Sequence, residues 1–153
     1  MNRAIDETGS ERQASTNRRG FAIALAINFV WINLSEVWRY LMVIRPMLQE
    51  TFPNDAAIAP FDLTTLAIWA VWDGILVFAA TGFFWVYFKS VGASLRQAVF
   101  AALFFTIAVF GLLWVGAFNM GLVPARFIWV ALPLAWLEQF VAAVIVWRVF
   151  RRK

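Results

Sequence analysis

Four charged side chains stand where charge is expensive. Glu36, Arg39, Asp73 and Glu138 all fall within long apolar runs, and an ionised side chain at the centre of a bilayer costs about 2.5–3.5 kcal/mol on insertion scales. A group kept at that cost normally faces a bundle interior, where it is paired, protonated or hydrated, and it marks a candidate functional site. Glu36 and Arg39 stand at i, i+3, a spacing that places both side chains on one helix face and allows a direct ion pair. Asp73 and Glu138 have no basic neighbour within their own runs. Three carboxylates against one guanidinium leave net negative charge if all ionise, so a proton or a cation must neutralise part of it. That is the chemistry of a proton- or cation-binding site.

Counting along each run places Asn33, Glu36, Asp73 and Glu138 within roughly 7 Å of one another along the membrane normal, with Arg39 about a turn further on. Asn33 can add an amide to that layer. Trp31, Trp72 and Trp136 fall at the same depth, with indole N–H groups that need acceptors and ring faces that can hold a cation. A packing role is open to every one of these residues. The Glu36–Arg39 pair can satisfy itself, and Asp73 and Glu138 can hydrogen-bond to amides, indoles or a second subunit.

Absences narrow the chemistry further. With no histidine and no cysteine, a disulfide, a thiolate nucleophile, a His-containing metal site and a Ser–His–Asp triad are excluded. No DxxD-type spacing is present for Mg²⁺. We therefore expect no metal, no cofactor and no enzymatic activity, and any proton chemistry inside the chain must fall mainly to carboxyls.

The elements that carry these residues follow from composition. Of 153 residues, 63% are hydrophobic and 14% charged, against about 45–50% and 25% in a soluble domain. A hydrocarbon core of about 30 Å takes roughly 20 helical residues. Four runs are long enough, at about 21–44, 62–88, 97–118 and 127–147. They lack the two-residue alternation of a membrane β-barrel, so helices are expected. The fold class is all-α: a polytopic membrane protein with a four-helix transmembrane bundle over residues 20–150. In the first run, Asn28, Ser35 and Arg39 form one polar stripe and Asn33, Glu36 and Tyr40 the next. In the second, Trp69 and Asp73 share a stripe with Asp62 at its end. In the fourth, Glu138 lies beside Gln139 and five residues after Pro133, which should bend that helix. The third offers only Thr106 in its middle. Trp85 and Trp147 at one interface, and Trp38, Trp69, Trp114 and Trp129 at the other, read as aromatic belts.

Basic residues set the expected orientation. Arg3, Arg12, Arg18, Arg19, Lys89, Arg96, Arg148, Arg151, Arg152 and Lys153 fall on one side, against Arg45 and Arg126 on the other. Both termini should therefore face the cytoplasm of a cell (inner) membrane. Residues 1–19 read as a disordered tail, 151–153 as a basic end, and about 45–61 as the single sizeable loop, with Pro46, Pro53 and Pro60. There is no basic face on a soluble module, so nucleic acid is not an expected partner. The expected partners are the bilayer, a second copy or larger membrane complex, and a small solute.

Two functions fit: a proton- or cation-coupled carrier of a small polar or cationic solute, or an accessory or assembly subunit of a larger membrane complex. Because the chain has no cysteine of its own, its orientation is open to clean single-cysteine labelling. A membrane-impermeant maleimide should modify Ser94→Cys from the cytoplasmic side alone and Asn54→Cys from the opposite side alone; the reverse pattern would overturn the assigned orientation.

Overall fold

The computed structural model describes residues 2–55 and 62–152, with side chains from residue 15 onward. Lys153, Pro60 and Phe61 lie outside the described residues, as do the side chains of Arg3 and Arg12. The chain forms α1 (Asn2–Arg39), a π-helical turn (Tyr40–Ile44), α2 (Arg45–Thr51), α3 (Leu63–Val91), α4 (Leu95–Thr106), a second π-helical turn (Ile107–Gly111), α5 (Leu112–Asn119) and α6 (Arg126–Arg151). These make four apolar helical spans, each long enough to cross a membrane: Ser15–Thr51, Leu63–Val91, Leu95–Asn119 and Arg126–Arg151. Among the described residues there is no strand. The protein is an all-α, multi-pass membrane protein.

Two boundaries differ from the sequence expectation. The first helix runs back to Asn2, through the segment expected to be a disordered tail. Once the apolar part has formed, extending it costs no new nucleus, and 2–19 contain no proline to stop it. The first span also continues to Thr51, so the loop expected to start at Arg45 is shorter. Pro46 sits in the opening turn of α2, immediately after a π-helical turn. A proline ring clashes with the carbonyl four residues back, and a locally widened turn is one way for a helix to accommodate it. Met47 and Leu48 of α2 pack on a buried cluster of Ile44, Val123, Phe127 and Ala131.

Side-chain chemistry fixes the other ends. Asp62 caps α3 by accepting from the Thr65 N–H at 2.8 Å, and Ser94 caps α4 by accepting from the Gln97 N–H at 3.2 Å. The Thr65 hydrogen bond holds the Asp62 carboxyl below its ordinary value. This cap therefore contributes down to the pH at which that lowered group protonates, and is lost below it. Gly92 joins α3 to α4 with φ +88°, a left-handed conformation that disfavours any side chain.

Each span runs antiparallel to the next. Asn28 meets Thr81 while Tyr40 meets Trp69; Tyr87 meets Gln97 while Phe83 meets Phe104. The fourth span packs against all three others, and α1 and α4 occupy opposite corners. Small residues line the most extensive packing, between α4 and α6, where Ala98, Ala101, Ala102, Ala135, Ala142 and Ala143 are all fully buried. The third span leans on the second mainly through α4. Beyond the second π-helical turn the two diverge.

Packing thus separates into a large apolar cluster toward the termini and a smaller one at the loop end, with the charged layer between them. At the loop end Arg126 also pairs with Glu50 at 3.2 Å and donates to the Thr51 hydroxyl at 2.7 Å; exposure limits such a pair to about 0.2–1 kcal/mol. Because α4 and α6 meet through alanines, Ala102→Leu should destabilise the bundle by about 1–3 kcal/mol, read as a lowered thermal unfolding midpoint in detergent. Ile75→Ala, on a side chain 66% exposed toward lipid, should change it by no more than about 0.5 kcal/mol.

Candidate functional site

Arg39 occupies the middle of the charged layer. Its guanidinium pairs with Glu36 one turn earlier and faces the Glu138 carboxylate of α6, Nη1 to Oε2, at 3.8 Å. Its carbon centre lies 5.0 Å from the Phe110 ring centroid, a cation–π contact from the second π-helical turn. A side chain only 9% exposed therefore ties the first span to the third and fourth. Arg39 begins about a turn beyond the acids, and its long stem brings the charge back to them.

Around this hub the spans leave two cavities rather than one. The larger, about 360 Å³, is lined by Glu36, Arg39 and Tyr40 of the first span, Trp69, Trp72 and Asp73 of the second, and Phe110 and Trp114 of the third. It opens where the second and third spans diverge. Both π-helical turns contribute to its wall, through Tyr40 and Ile44 and through Val109 and Phe110; such turns recur at functional sites because they break the regular helix face. Asp73 is 6% exposed and lies within Coulombic reach of both Glu36 and Arg39. Trp69 stands edge-on to Tyr40, ring centroids 4.2 Å apart, and Trp114 stacks on Phe127 at 5.8 Å. The result is a half-open chamber with aromatic walls, two carboxylates and one guanidinium.

The smaller cavity, about 240 Å³, lies on the other side of Arg39 and is lined by Trp31, Ser35, Trp38, Leu134, Leu137 and Glu138 among others. Glu138 is 1% exposed and accepts a 2.9 Å hydrogen bond from the Gln139 amide. The Trp31 indole donates to the Glu138 backbone carbonyl at 3.0 Å, and Asn28 donates to the Thr81 hydroxyl at 3.0 Å and toward the Ala142 carbonyl at 3.4 Å. These bonds hold α1 against α6 and α3. Pro133 stands within α6, which continues through it.

The single layer expected from the sequence is therefore divided. Asp73 and Glu36 share one chamber, Glu138 lines another, and Arg39 belongs to both. Asn33 joins neither: its amide donates to the Phe29 carbonyl of its own helix at 2.7 Å, a local bond open to any helical asparagine. Trp136 also lies outside both, stacked on Phe140 at 5.5 Å. Trp72 is 58% exposed at the lipid-facing rim of the larger chamber, while Trp31 reaches the smaller one. Asp62, on the same stripe as Asp73, serves as the exposed cap described above.

Trp69 and Trp114 wall the larger chamber as well as lying toward the loop end, so the belt assignment describes their depth but not their contacts. Trp69 stands four residues before Asp73, and that spacing was the available signal. Phe110 and Trp114 are likewise four apart, but the helix around Phe110 is widened. Among the described residues no cluster of three acidic, His or Cys side chains is arranged for a metal ion. Comparison of the chain with protein-family models, curated proteins and solved structures gives no match.

Removing Arg39 leaves buried carboxylates uncompensated, so Arg39→Gln should destabilise the protein by about 3 kcal/mol or more. Replacing Glu138 by Gln in the same chain removes one of those charges, and the double variant should recover part of the loss in a double-mutant cycle of detergent unfolding. Simple additivity would show that the two groups do not interact.

Proposed function

We propose that this small membrane protein is a proton-coupled carrier of a small cationic solute, with the aromatic chamber around Glu36 and Asp73 as its binding site. The observation that carries this reading is the chamber itself. Two carboxylates and one guanidinium face a space of about 360 Å³ whose other walls are largely aromatic. That size lies at the lower end of small-molecule sites. Aromatic faces attract cations, and the carboxylates supply the counter-charge.

Charge balance supplies the coupling. With every group ionised, Glu36, Asp73 and Glu138 carry three negative charges against one on Arg39. A cation in the chamber and protons on its carboxyls satisfy the same deficit, so each disfavours the other. That competition is the basis of exchange: a proton gradient in one direction drives the cation in the other. No charged group of the third span lines the chamber, and Glu138 communicates with it through Arg39.

The basic residues at the termini and at the connection between α3 and α4 support a cytoplasmic location for both ends, in a cell inner membrane. A chamber half-open to lipid, bounded by three of four spans, favours a homodimer in which a second copy closes it.

The test is uptake of radiolabelled benzyltrimethylammonium, a permanent cation, into proteoliposomes with an acidic interior. Asp73→Asn and Glu36→Gln should each lower uptake at least tenfold, while Ile75→Ala should not. Binding of the same cation should tighten as pH rises, because protons compete for the carboxylates. Unchanged uptake in both carboxyl variants, or affinity independent of pH, would remove the carrier reading and leave an assembly role as its replacement.

A further inference from the structure

The smaller cavity carries chemistry that the cation chamber does not use. Its walls are apolar: Leu34, Trp38 and Leu137 are 66%, 54% and 51% exposed and so face lipid, and the groove opens sideways into the bilayer. Its floor is polar and buried. Arg39 Nη1 and Glu138 Oε2 lie 3.8 Å apart, beyond hydrogen-bond length; neither atom has a partner at hydrogen-bond distance among the described residues, and the Ser35 hydroxyl is the other polar group beside the Glu138 carboxylate. Both side chains are more than nine-tenths buried. A donor and an acceptor thus stand side by side at the base of a lipid-facing groove.

We infer that this groove is a binding site for the hydroxyl head of an uncharged, membrane-dissolved amphiphile such as a long-chain alcohol. A hydroxyl is both donor and acceptor, so one oxygen can accept from Arg39 Nη1 and donate to Glu138 Oε2. An ammonium head would satisfy Glu138 but meet the guanidinium charge, and a carboxylate or phosphate would do the reverse. Depth points the same way. Glu138 is 12 residues from the start of α6 and 13 from its end, which places it about 18–20 Å from either end at 1.5 Å per residue. Phospholipid heads stay at the interface, whereas a neutral hydroxyl can reach this depth at moderate cost. The chain of the amphiphile would lie along Leu34, Trp38, Leu134 and Leu137. This assignment concerns the Glu138 side of Arg39 and stands whether or not the other chamber carries a cation.

The full-length protein, reconstituted in liposomes, can be labelled with hexadecanol bearing a diazirine at mid-chain, alongside the matching hexadecanoate and hexadecylammonium probes, with the sites of attachment mapped by mass spectrometry. The alcohol should label the Leu34–Trp38 and Leu134–Leu137 segments at least tenfold more than the ammonium or carboxylate probe, and excess unlabelled hexadecanol should compete. Leu134→Trp, which fills the groove from a half-exposed position, should reduce that labelling at least fivefold with unfolding unchanged. Equal labelling by the three head groups, preference for either charged one, failure of competition, or full labelling of Leu134→Trp would each overturn the site.

Discussion

One guanidinium stands among three carboxylates within a bundle whose surroundings are hydrocarbon, and the middle of the structure is arranged around it. Charge in a low-dielectric interior is tolerable only when paired and hydrogen-bonded. Arg39 meets that condition by pairing with Glu36, facing Glu138 and lying over Phe110. These partners belong to three different spans. The apolar clusters on either side of the layer can pack with ordinary side-chain complementarity, because the polar groups are collected between them.

The same residue divides the interior. On one side Glu36 and Asp73 face a chamber with aromatic walls; on the other Glu138 faces a groove with lipid-exposed walls. Anything that adds positive charge to the first side weakens the hold of Glu36 on Arg39 and favours Glu138, and the converse also holds. A charge placed on one side therefore acts on the groups of the other through this single side chain. Asn28 and Trp31 keep the first span fixed against α6 close to that point.

Much of this was legible from residue order. The four apolar runs exceed the length needed to cross a bilayer, and no competing architecture accommodates them, so the all-α bundle follows from composition and run length. The i, i+3 spacing of Glu36 and Arg39 was enough to bring the two together. What the sequence concealed is how spans turn relative to one another. Depth can be counted at a fixed rise per residue, which is why Asp73 and Glu138 fall in one layer, but depth does not say on which side of Arg39 each one opens. Asn33 and Asn28 show the same limit. Both are amides in the apolar part of the first span, yet one bonds within its own helix and the other bridges to α3 and α6. The helical N-terminal segment was obscured for a different reason: its polar composition says nothing about continuation from an apolar helix already formed.

The two π-helical turns have a consequence for the phase of their helices. Each accommodates about one residue more than an α-helical turn, and one residue corresponds to about 100° of rotation. In the third span, the faces before and after Ile107–Gly111 are thus out of step. Ala101, Ala102 and Phe105 belong to the tightly packed cluster, and Trp114 packs against that cluster while also lining the chamber and stacking on Phe127. In an uninterrupted α-helix the twelve residues from Ala102 to Trp114 would turn the tryptophan about 120° away from that alanine. The offset turns Trp114 back toward the face that Ala102 presents, so a one-residue deletion within 107–111 would remove the widened turn and leave Trp114 facing the same surface, whereas straightening the turn with every residue kept would swing it away.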